Sequence, residues 1–115
     1  MRIDHVGFAA LVMVAIACSE GSNAPADGDT PQAAAIQRGR KIYENVCIAC
    51  HNGDPTHPGS LGPQVAGASR ELIEAKVLRG AYPPGYTPVR PGQTMPKYEY
   101  LADRLDDVVA YLQQD

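Results

Sequence analysis

The chain has 115 residues, a formal charge of -3, 44% hydrophobic and 20% charged residues, which excludes a disordered chain, a membrane-embedded one and a nucleic-acid binder working by bulk positive charge. Eleven Gly, ten Pro, no Trp and one Phe imply many turns and a thin aromatic core. A domain this small buries only about 60% of its unfolded surface, so something besides side chains is expected to supply part of the interior.

Residues 1–17 read as a secretory signal. Met1 to His5 form a short polar start carrying Arg2, and Val6 to Ala17 are apolar apart from Gly7. That run is too short for a bilayer span, which takes about 20 residues, and suits the apolar part of a signal peptide. Ala15-Ile16-Ala17 ahead of Cys18 resembles a bacterial lipobox, which implies lipidation of Cys18 and cleavage before it. Ordinary cleavage nearby and an uncleaved anchor are the alternatives. Acyl chains on Cys18 would tie the protein to a membrane. Residues 18–30 are small and polar, with Pro25, Gly21 and Gly28, and read as a flexible tether. Residues 31–115 are then the folded domain, exported to the periplasmic side.

Thr30 is a good N-cap and Pro31 a good first helical residue. A first helix is predicted from Pro31 to about Cys47, with Ile36, Gly39, Tyr43 and Val46 at three- and four-residue steps. It closes on Cys47-Ile48-Ala49-Cys50-His51. A redox disulfide at this pair would want the CxxC to open a helix after a strand, whereas here it closes a helix. Structural zinc would want four ligands from Cys47, Cys50, His51 and His57, with Cys50 and His51 awkwardly adjacent. The third reading is covalent haem c, for which CxxCH is the signature. Two thiols would add across two vinyl groups, and the next imidazole would face the iron.

Ser69 is expected to cap a second helix that ends at Arg79-Gly80, with Leu72, Ile73, Val77 and Leu78 on its buried side. Asp103 is expected to cap a third running to about Gln113, with Asp106 at the capping-box position and Leu105, Val108, Val109 and Leu112 as its apolar stripe. No stretch reads as a strand. Two long loops, Asn52 to Ala68 and Ala81 to Leu101, exceed what a self-sufficient bundle would hold and suit a chain that wraps a flat group. Met95 is the one methionine left after signal removal. It stands in the polar Thr94-Met95-Pro96 rather than on a helical stripe. A thioether there suits an axial ligand, which raises the reduction potential of a haem iron.

With these motifs in order, the chain resembles class I c-type cytochromes over about Pro31 to Leu112. Gly39 and Tyr43 match the small and aromatic residues of that family's first helix. Val108 and Tyr111 match the positions of the last helix that cross it, and Met95-Pro96 matches its ligand loop. The resemblance implies an all-α cytochrome c-like fold, with three main helices and long loops around one covalent haem. It implies haem c attached at Cys47 and Cys50, iron held by His51 and Met95, and the Pro63 carbonyl accepting the His51 Nδ1–H. With both axial positions taken by protein, the implied function is one-electron transfer between a redox donor and acceptor, with no catalysis and no nucleic-acid partner. The chain would be a monomer or a subunit of a redox complex. An electron-accepting subunit of a particular dehydrogenase or oxidase, and a haem sensor or peroxidase-like protein, are the alternatives. Departures from the family pattern are His57, expected as a solvated loop residue, and the Pro- and Tyr-rich 81–88 segment, expected as a stiff cover at the haem edge. Arg90 and Tyr98 are candidate hydrogen-bond donors to the haem propionates.

Overall fold

A computed structural model describes residues 28–92 and 94–115. The expected signal, the expected lipidation site at Cys18 and most of the expected tether lie outside the described residues. Among those described, the regular structure is helical, with no strand. Helix α1 spans Pro31–Ile42, α2 spans Arg70–Arg79 and α3 spans Leu105–Leu112. No helix among them is long and apolar enough to cross a membrane.

Helix α1 starts where its chemistry predicts: the Thr30 side chain accepts from the Ala33 N–H at 3.0 Å, and Pro31 occupies the first turn. The regular α-helix stops at Ile42, five residues before the expected end. Tyr43–Cys47 continue it as a π-turn, closed by the Ile48 N–H on the Tyr43 carbonyl at 3.2 Å. Such widened turns are rare and concentrate at functional sites. Ser69 caps α2 through the Leu72 N–H at 3.1 Å, and Gly80 terminates it in the left-handed conformation at φ 63°, which a β-carbon would strain.

Helix α3 departs from the expected capping. Asp103 lies inside a 3-10 turn, Glu99–Arg104, that leads straight into Leu105, and no side chain caps the helix. Asp106 does not close a capping box but pairs with Arg70 of α2 at 2.6 Å. A 3-10 entry satisfies the early backbone groups by itself and makes the cap dispensable.

The apolar stripe of α3 is buried in full: Leu105, Val108, Val109 and Leu112 join Tyr43, Ile73, Val77, Leu101 and Tyr111 in one core. In α2, Ile73 and Val77 are buried, while Leu72 and Leu78 are only half-buried. The tightest contact is the crossing of α1 and α3. A β-carbon at Gly39 would overlap the Asp107 carbonyl and lie 2.8 Å from the Tyr111 Cβ. Tyr43 and Tyr111 pack beside this point, ring centroids 5.4 Å apart at 50°, the tilted arrangement that aromatic quadrupoles favour. Arg38 closes the crossing with two hydrogen bonds to the Asp107 carboxylate, at 3.0 and 2.9 Å.

Gly39→Ala should destabilise the haem-loaded protein by about 1–3 kcal/mol, because the obstacle is backbone and cannot rotate away. Tyr43→Phe, which keeps the ring and loses one buried hydrogen bond, should cost about 1 kcal/mol. Thermal unfolding of the two variants against the parent checks the order.

Candidate functional site

Between α2, α3, the π-turn and the two long loops lies an apolar cleft of about 190 Å³. The π-turn and its sequel contribute Tyr43, Val46, Cys47, Cys50 and His51, the first loop contributes Leu61 to Val65, and α3 contributes Val108 and Leu112. Helix α2 gives Leu72, Ile73, Lys76 and Val77, and the second loop gives Tyr82, Tyr86, Val89, Arg90, Met95 and Tyr98. Residues spread across the sequence thus converge on one space. Cys47, Cys50, His51, Pro63 and Met95, singled out from sequence, all line it.

The segment carrying the CxxCH pattern is held by main chain. The His51 N–H donates to the Cys47 carbonyl at 2.9 Å, and the Leu61 and Gly62 N–H groups donate to the Cys50 carbonyl at 3.2 and 2.8 Å. The first loop therefore folds back over the motif. Pro63 brings its carbonyl to 2.8 Å from His51 Nδ1. A carbonyl only accepts, so Nδ1 carries the proton and Nε2 keeps the lone pair that a metal needs. Gly62 lies flat against the imidazole: a β-carbon there would be 2.9 Å from Nε2 and nearer still to Cε1. Gly59 has the same relation to the backbone, 2.6 Å from the His51 Cα. The spacing Gly59-x-x-Gly62-Pro63 was the available signal for this tight loop, and only its proline was singled out.

Tyr43 does more than pack at the helix crossing. Its hydroxyl donates to the Asn52 carbonyl at 2.6 Å, which ties the residue after His51 to the end of α1. Burial pushes this phenol up to about 12. Burial also pushes the Cys47 thiol up to about 11. A dithiol used for redox exchange needs a thiol poised the other way, toward the thiolate. Among the described residues, no cluster of three His, Cys, Asp or Glu side chains is placed to hold a metal ion, so the four-ligand zinc arrangement is not assembled. His57 is exposed and lies 3.1 Å from Asp54, outside the cleft lining.

Met95 is half-buried and packs against the core. Its loop is pinned to the end of α2, where the Tyr98 N–H donates to the Val77 carbonyl. A β-carbon at Gly80 would sit 3.6 Å from the Met95 carbonyl. Burial raises the Tyr98 phenol above its ordinary range. Arg90 donates to the Gly59 carbonyl at 3.0 Å, so the second loop is tied to the first. Tyr82 and Tyr86 stack at 5.3 Å and 8°, and the Lys76 ammonium lies 4.0 Å from the Tyr82 ring centroid.

Two unpaired thiols, an imidazole with a directed lone pair and a thioether around an apolar space form a donor set suited to an iron porphyrin rather than to an ion alone. Comparison with known families agrees: the Cytochrome c family model matches residues 36–114. The chain belongs to the Cytochrome c family. No curated protein matches it, and no solved structure does. Its cofactor is covalently bound haem c, and Cys47 and Cys50 are present as the CxxCH pattern requires. Membership assigns it to haem-based electron transfer with redox partners, and favours a carrier over an enzyme.

Gly62→Ala should displace the His51 ring and lower the ratio of haem to protein in purified material several-fold. Gly53→Ala, where a β-carbon meets nothing within 4 Å, should leave the ratio unchanged. The haem absorbance relative to total protein reads both.

Proposed function

We propose that this chain is a class I, mono-haem cytochrome that carries one electron at a time, with His51 and Met95 as the axial ligands. Thioether bonds to Cys47 and Cys50 hold the porphyrin. The observation that carries this reading is the convergence of Cys47, Cys50, His51 and Met95 on one apolar cleft. When bound, the haem supplies a ferric–ferrous couple at iron. The protein's residues set the conditions for that couple. Pro63 orients the imidazole through Nδ1, and such a bond raises ligand basicity. The Met95 thioether favours the ferrous state and raises the potential. The apolar walls from Val46, Ile73, Val77, Val108 and Leu112 keep water away and disfavour the extra charge of the ferric form. With two protein ligands, no coordination position is left for a substrate, which separates a carrier from a peroxidase-like protein or a gas sensor.

The Met95→Ala variant tests the axial pair. The ferric wild type should show the methionine-to-iron charge-transfer band, and the variant should lose it and have a lower potential. A high-spin wild type that takes up carbon monoxide or cyanide readily would sink the carrier reading.

The proposal extends to location. Residues 1–17 act as an export signal, Cys18 is lipidated, and residues 18–30 tether the domain to the periplasmic face of a membrane. The basis is the apolar run ending in Ala15-Ile16-Ala17-Cys18. Cys18→Ser should move the haem-containing protein from the membrane fraction to the soluble fraction without loss of haem. Equal partition of the two proteins would remove the anchor from the account.

A further inference from the structure

The cleft is apolar, yet it carries two fixed charges of one sign. Lys76 on α2 and Arg90 on the second loop line it, and no Asp or Glu does. Both side chains are half-buried. Among the described residues, neither has a carboxylate within ion-pair distance, whereas Arg38, Arg40, Arg70, Arg79 and Lys97 each do, and the two other unpaired cations, Lys41 and Arg104, are exposed to water. In a chain whose net charge is -3, two unpaired cations facing an apolar cleft are unexpected. Removing a cation partly from water costs free energy unless an anion or hydrogen bonds compensate.

The partners they do have leave most of their capacity open. Arg90 spends one N–H on the Gly59 carbonyl at 3.0 Å, out of five donors in a fixed fork that matches a carboxylate. Lys76 lies over the Tyr82 ring at 4.0 Å, an electrostatic contact that supplies no hydrogen-bond acceptor oxygen. A ligand that is flat and apolar over most of its surface and bears carboxylates satisfies the walls and the cations together. Haem c is such a ligand, with two propionates.

The geometry points to Arg90 and Lys76 as the residues that receive the two haem propionates. Tyr98 also lines the cleft, and its hydroxyl can donate to the same carboxylates alongside the two cations. The assignment rests on the haem occupying this cleft and is independent of whether Met95 binds the iron. It gives the Tyr82–Tyr86 stack a role as well: it keeps the Lys76 ammonium at the cleft instead of in bulk solvent. Arg90 thereby acts at two points, fastening the second loop to Gly59 and meeting a propionate.

Resonance Raman spectra of the haem-loaded protein test this through the propionate-bending bands, whose frequencies follow hydrogen bonding to the carboxylates. Arg90→Gln removes the charge while its amide can still donate to Gly59. Lys76→Gln removes the other charge. Each should shift one propionate band, Arg90→Lys should restore most of the shift at its position, and Arg79→Gln, an exposed residue paired with Glu74, should shift none. Bands unmoved in both Gln variants would overturn the proposal, and movement in only one would overturn the role of the other cation. If Arg90→Gln fails to accumulate with haem, Arg90→Met, which removes the charge and keeps the length, takes its place: a propionate band unmoved by Lys76→Gln removes Lys76, and one unmoved by Arg90→Met removes Arg90. The charge-transfer band of the same samples reports the axial pair separately, so an error in the ligand assignment is not mistaken for an error here.

Discussion

Backbone contact between α1 and α3 at Gly39 sets the position of nearly everything that lines the cleft. With no side chain at residue 39, the Asp107 carbonyl meets the helix directly, at a separation that larger residues forbid. One turn further along α1, this closeness puts Tyr43 beside Tyr111, and the Tyr43 hydroxyl reaches the Asn52 carbonyl. The residue that follows His51 is thus fixed to the helix crossing through a single side chain. On the other helix, the same contact turns Val108 and Leu112 toward the cleft, and the Leu112 carbonyl accepts the Gly67 N–H at 2.7 Å, which seats the end of the first loop. A crossing with no direct part in the chemistry therefore governs where the haem-bearing motif lies.

The two loops depend on different supports. The first is organised by the main chain of the motif it covers, since the Cys50 carbonyl accepts two N–H groups from it and Pro63 and Gly62 clasp the imidazole. The second hangs from α2, by Gly80 at one end and by the Tyr98–Val77 bond beyond Met95. The Arg90–Gly59 hydrogen bond joins one loop to the other. Irregular backbone of this length is ordinarily costly. Here each loop has fixed ends and a shared wall, and the prosthetic group supplies the apolar contacts that a core this poor in aromatic residues lacks.

Much of this was legible in the sequence because it depends on local chemistry. Thr30-Pro31, Ser69 and Gly80 announce helix ends through groups that bond within four residues. The stripe Leu105, Val108, Val109, Leu112 announces a buried face by its period. CxxCH announces its cofactor because two vinyl groups and one axial position are spaced by the macrocycle. What escaped was decided by tertiary partners. Asp106 looked like a capping residue but found Arg70 across space. Asp103 fell inside a 3-10 turn, which no local pattern distinguishes from a helix start. The π-turn at Tyr43–Cys47 has the composition of an ordinary helix, so no local pattern announces it. Gly59 and Gly62 matter for atoms their side chains would displace, and sequence does not show which atoms those are.

The distribution of charge completes the account. The outer surface holds its ions in exposed pairs such as Arg40–Glu44 and Lys97–Glu99, which contribute little to stability. Asp107 is the exception, a buried acid answered by the fork of Arg38 at the helix crossing. The cleft keeps two half-buried cations without acids; the other unpaired cations among the described residues, Lys41 and Arg104, are exposed. Fixed positive charge beside an iron centre opposes oxidation, in the same direction as an apolar wall and a thioether ligand. Haem carboxylates meeting those cations weaken that opposition by returning negative charge to the same place. On the reading proposed above, the preference for one oxidation state is therefore the outcome of opposed local charges, with burial and the Met95 ligand on one side and the propionates on the other. On the same reading Lys76 and Arg90 weigh in this balance from segments that carry neither the imidazole nor the thiols.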